Sequence, residues 1–149
     1  DISRFNLRQQ IALVRDWDVF EGTIEENLRL GREEIPREVL RQTLDDVELL
    51  AELEQLPKGL QTILLPNGTP LSSNQLTRLM IVRAVLQQPR LLLLDGALDA
   101  LQSHTLERVY PFLFDPKQPW TLLVRTNRDD ILAKCSHHLQ IDKQTLHEL

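Results

Sequence analysis

Four consecutive leucines, Leu91–Leu94, run without a polar break into Asp95. A short apolar run with no alternation suits a strand covered on both faces of a parallel sheet. A carboxylate at the carboxyl end of such a strand sits where open α/β sheets place ligand chemistry. The preceding residues supply the context. Ser72 is an N-cap type whose hydroxyl can accept an orphaned N–H of a first helical turn. Leu76, Leu79, Met80, Val82, Arg83 and Leu86 recur at helical spacing, which predicts a helix with an apolar face until Pro89 forbids continuation. The alternation of helix, loop and buried strand predicts an α/β fold in which helices flank a parallel sheet.

Elsewhere the pattern is consistent with that class. Ile11–Val14 is a strand candidate, preceded by a basic turn around Arg4 and Arg8, and Asp16–Gly22 reads as a loop. Thr23 with Glu26 makes a capping box for a short helix through Leu30. Pro36 opens a helical stretch at a position where its missing N–H costs nothing. The apolar spacing runs to about Leu56, as two helices broken near Asp45–Asp46. Pro57, Lys58 and Gly59 stop it, and Gln61–Pro70 crosses back with a turn at Asn67-Gly68. Ser103–Leu113 is a helix, Thr121–Arg125 a buried strand and Arg128–Lys134 a short helix. His138–Asp142 with Leu146–Leu149 reads as a closing hairpin.

Charge and cysteine usage narrow the function classes. A net charge of -5 and a pI near 5.4 argue against a nucleic-acid face or a polybasic membrane patch. No stretch approaches the eighteen or so apolar residues of a membrane helix, and no signal peptide opens the sequence. Cys135 is the single cysteine, so no disulfide framework forms within the chain. A buried, inert thiol is the expectation.

At Leu71–Gln75 the sequence reads LSSNQ, followed by LLLLDGALDAL at Leu91–Leu101. These resemble the signature motif, Walker B strand and D-loop of an ATP-binding cassette, in that order. LRQQIALVRDWDVFEGTIEENL (Leu7–Leu28) resembles the Q-loop region of exporter-type cassettes, and TLLVRTNR (Thr121–Arg128) the strand and H-loop, TxxxxTHR. The resemblance implies a P-loop NTPase-like fold with a helical subdomain and signature region at about 23–88, the remainder being α/β core. Residues 1–149 would form a single partial nucleotide-binding domain. It implies ATP and Mg²⁺ as the family's cofactors, which this chain alone is not expected to bind. It also implies a transmembrane domain and a second nucleotide-binding domain as partners, on the cytoplasmic side of a membrane.

Several motif positions depart from the family. None of the five glycines, at 22, 31, 59, 68 and 96, precedes a lysine, so the sequence holds no GxxxxGK[ST] phosphate cradle. In the family that cradle lies upstream of the matched segments. Asp95 stands at the Walker B position, which holds Mg²⁺ through water. The following position, a glutamate acting as general base in the family, is Gly96. Losing a positioned base typically removes on the order of 10²–10⁴ in rate. The switch histidine is replaced by Asn127, and Arg15 or Asp16 stands at the Q-loop glutamine. In the signature loop Ser72 and Gln75 are kept, while Ser73 and Asn74 replace two glycines. Asn74 is a residue that tolerates left-handed backbone, and its side chain is expected to fill space a phosphate would need. The D-loop closes on Gln102 instead of aspartate.

These departures lead to the expectation of a degenerate nucleotide-binding domain of an exporter-type transporter, which couples or regulates transport with hydrolysis impaired and no turnover alone. Two alternatives stay open: an ATP-binding, slowly hydrolysing half of a heterodimer, and a scaffold that uses the same fold outside transport. Without a P-loop strand, an open slot beside Leu91–Leu94 and an uncovered apolar face are expected to drive self-association or strand rearrangement.

Overall fold

A computed structural model describes residues 3–143 and 145–148. Ser3 caps helix α1 (Arg4–Gln10), which leads directly into strand β1 (Ile11–Val14). The expected basic turn around Arg4 and Arg8 is therefore a helix, because Ser3 Oγ accepts the Asn6 N–H and secures its first turn. Strand β2 (Gly22–Thr23) precedes α2 (Ile24–Arg29), whose Thr23–Glu26 capping box forms as the sequence indicates. Helices α3 (Arg37–Asp46) and α4 (Leu50–Glu54) follow, separated at Val47–Leu49, where Glu48 has φ +56°. Strand β3 (Ile63–Leu64) pairs antiparallel with β2 and ties the returning segment to the start of α2.

The long helix α5 (Ser73–Val85) then delivers the chain to β4 (Leu91–Asp95). A 3-10 turn at Ala97–Ala100 leads to α6 (Ser103–Leu113), β5 (Thr121–Arg125), α7 (Asp129–Leu132) and a hairpin of β6 (Leu139–Asp142) with β7 (Thr145–Glu148). Leu149, assigned to that hairpin from the sequence, lies outside the described residues. No helix among the described residues is long and apolar enough to cross a membrane.

The main sheet has the order β1-β4-β5 and is parallel throughout. Its register places Leu13 beside Leu93 and Leu93 beside Leu123, with Val14, Leu94 and Val124 on the next row. One face, carrying Ala12, Val14, Leu92 and Leu94, is buried. It joins one continuous core with Leu79, Ile81 and Val82 of α5 and Leu106 and Val109 of α6. The other face is open: Leu13 is 52% and Leu123 51% exposed, with Leu93 half-buried between them.

Two expectations change here. Leu91–Leu94 and Thr121–Arg125 are covered on one face only: Leu92 and Leu94 are buried in the core, while on the other face Leu93 is half-buried and Leu123 exposed. No slot is open beside Leu91–Leu94, because β1 and β5 pair with β4 on either side. The uncovered apolar face is present.

Candidate functional site

Side chains alternate across a strand, so Arg15, Asp95 and Arg125 continue the row of Leu13, Leu93 and Leu123 on the open face. All three lie at or just beyond the carboxyl ends of their strands. Arg15 Nε donates to Asp95 Oδ2 at 2.9 Å, and Arg125 Nε donates to Asp95 Oδ1 from the opposite side. The Arg125 guanidinium, and after it that of Arg15, holds the Asp95 carboxyl below the ordinary carboxylate range. Residues 80 and 30 positions apart thus form a cross-strand triad of alternating charge.

Gly96 follows in left-handed backbone, φ +71°, and its N–H donates to the Arg125 carbonyl at 2.9 Å. Beyond it, Asp99 accepts from the Thr126 hydroxyl and from the Asn127 N–H at 3.4 Å. The turn after β4 is thereby tied to the turn after β5. Asn127 is exposed and does not cap α7. Helix α7 starts without a side-chain cap, and ahead of it the Thr126 hydroxyl accepts the Arg128 N–H at 3.1 Å.

Ser72 and Gln75 open α5 with a reciprocal capping box: Gln75 N–H to Ser72 Oγ at 3.2 Å, Ser72 N–H to Gln75 Oε1 at 2.9 Å. The helix begins at Ser73, and among the described residues none of this loop has positive φ. Left-handed backbone, which the change from glycine to Asn74 brings to mind, is therefore not needed. The Asn74 side chain is tied to α6. Its Nδ2 turns back to Thr105 Oγ1 of α6 at 3.3 Å, leaving Oδ1 buried without a partner. Ser72, Ser73 and Asn74 line one side of a recess of about 450 Å³, with Gln102 and His104 opposite.

Sequence reading missed the residues that hold these loops. Arg78 is 4% exposed and spans from α5 to the helical pair, donating to both Glu52 oxygens at 2.8 and 3.0 Å and to the Glu48 carbonyl at 2.6 Å. Gln75 Nε2 reaches the same Glu52 at 2.9 Å, so α4 positions the loop directly. Asn27, fully buried, pairs with Phe20 N–H and C=O and the Thr23 carbonyl. Trp17 Nε1 donates to Thr77 Oγ1 at 3.0 Å and lays the Arg15–Gly22 loop on α5. A lone arginine or asparagine within an apolar pattern was the available signal. Cys135 is half-buried, not fully buried; burial pushes its thiol up, and Sγ donates to the Ile131 carbonyl.

The chain is 34% identical over 148 residues to P-glycoprotein 14 of Caenorhabditis elegans, covering 99% of this chain and 11% of that protein. It is 31% identical over 145 residues to an ATP-dependent lipid A-core flippase of Vibrio cholerae, covering 96% of this chain and 25% of the flippase. Its fold matches that of a bacterial Atm1-family ABC exporter solved with ATP bound, with a TM-score of 0.86 and 24% identity over 94% of this chain and 25% of the exporter. No family model matches. The chain belongs to the ATP-binding cassette family. It spans about a tenth to a quarter of the length of these relatives, so it corresponds to part of an ABC exporter.

A cassette of this family uses ATP and Mg²⁺, and the residues here can be set against each. Both Asp95 oxygens at the Walker B position accept guanidinium N–H groups, which a water-held Mg²⁺ there would have to displace. Gly96 supplies no side chain to polarise a water. The signature loop keeps a helix N-terminus and an exposed Ser73, which suit an anion better than the strand edge suits a metal.

Proposed function

We propose that this chain is part of a nucleotide-binding domain of an exporter-type ABC transporter in which hydrolysis is impaired, and that it serves coupling or regulation of transport. The observation that carries the reading is the Arg15–Asp95–Arg125 triad, which takes up the carboxylate a metal-dependent hydrolysis would require. Gly96 and Asn127 at the general-base and switch positions act in the same direction. The transmembrane domain and a second nucleotide-binding domain are the partners this reading requires, on the cytoplasmic side of the membrane. The loop carrying Trp17 and the α2–α4 subdomain form the surface offered to the former. By itself the chain associates through the open row of Leu13, Leu93 and Leu123.

The test is phosphate release by the complete transporter in lipid vesicles. D95N is expected to leave the rate within about two-fold. A loss on the order of 10² or more, the range for removing a working acid–base group, would show Asp95 serving the reaction and overturn the proposal.

A further inference from the structure

The triad is not a neutral plug. One carboxylate faces two guanidiniums, and each arginine gives Asp95 only its Nε–H. Among the described residues the Nη groups of Arg15 and Arg125 donate to nothing, and the two side chains are 60% and 67% exposed. A guanidinium carries five donors in a fixed fork suited to phosphate oxygens. Gly96 makes room for the Arg125 fork, whose Nη2 lies 3.0 Å from where a Cβ would stand. Asp99 adds a negative charge near Arg125, but its oxygens are taken up by Thr126 and the Asn127 N–H.

We propose that Arg15 and Arg125 take the place of a divalent cation at this strand edge, and that the pair binds a phosphate group directly, without metal. Asp95 then acts as the brace that holds the two forks side by side, and its carboxylate never meets a metal ion. The proposal rests on side-chain geometry alone and stands whether or not the chain takes part in transport.

The test is a titration of this chain with sodium tripolyphosphate in EDTA, followed through the arginine Nε–H signals by NMR. Saturating shifts at Arg15 and Arg125 are expected, weakened when Mg²⁺ is added, because the metal competes for the same oxygens. R125Q is expected to lower the affinity at least ten-fold with the remaining amide spectrum unchanged; R15Q provides the same comparison from the other strand. Equal affinity for ATP identifies the phosphate chain as the group recognised, and tighter binding of ATP identifies a nucleotide as its source. No shift at millimolar tripolyphosphate, shifts that require Mg²⁺, or shifts that persist in both variants would overturn the assignment. Mn²⁺ gives an independent readout: signals of residues 94–96 are expected to stay sharp, and selective broadening there would place a metal on Asp95.

Discussion

Nη2 of Arg125 lies 3.0 Å from the point a Cβ would occupy at Gly96. Gly96 is also held at φ +71°, where an L side chain is strained. Placing a side chain there costs on the order of 1–2 kcal/mol for the left-handed backbone, and it must also displace the guanidinium. G96A is expected to lower the urea midpoint accordingly. G96E in the complete transporter is expected to give no gain in phosphate release, because Arg15 still holds Asp95 and Asn127 still stands at the switch position.

The acid dependence of stability follows from Asp95. Its folded-state pKa is depressed, first by the hydrogen bond from Arg125 and then by that from Arg15. Its stabilising contribution is therefore complete above the unfolded value near 3.9 and disappears as pH falls through the lower folded value. A carbon-detected titration of the Asp95 carboxyl should give a midpoint below about 3.9, and D95N should remove this part of the acid slope. A midpoint at or above the unfolded value would mean the triad is open in solution.

Arg78 is the buried link between the signature helix and the helical pair. R78M leaves the Glu48 carbonyl without this donor, while Glu52 keeps Gln75, and an unsatisfied buried acceptor costs about 1–3 kcal/mol. E52Q keeps an acceptor for Arg78, and its carboxylate is 42% exposed, so its cost is expected to stay below about 1 kcal/mol. Equilibrium denaturation of the two variants checks the order. Faster amide exchange at residues 72–75 in R78M would show that the loop depends on this link.

The open row of the sheet has a solution consequence. At micromolar concentration the chain should sediment as more than a monomer, and L123E, which adds a charge at the exposed β5 end of the row, should shift it to monomer. A wild-type chain that sediments as a monomer while remaining folded would contradict association through this face.

The local devices were determined by sequence alone. The Thr23–Glu26 and Ser72–Gln75 boxes, the α6 limits and the break between α3 and α4 each depend on residues within a turn or two of one another, where a side-chain oxygen and an orphaned N–H meet by helix geometry. The leucine run and its terminal aspartate likewise identified the strand and the site end of the sheet. What only the tertiary structure decided was register and cover. Nothing in TLLVR distinguishes Arg125 from an ordinary solvent-facing strand residue until parallel pairing sets it beside Asp95. Arg15, read from the sequence as a substituted loop residue, becomes part of the triad only when β1 takes its place on the other edge of β4. Four leucines in succession are equally compatible with one covered face or two, because burial is a property of what packs against a strand and not of the strand. Long-range pairing therefore adds Arg15 and Arg125, neither distinguished in the sequence, to the aspartate that marked the site.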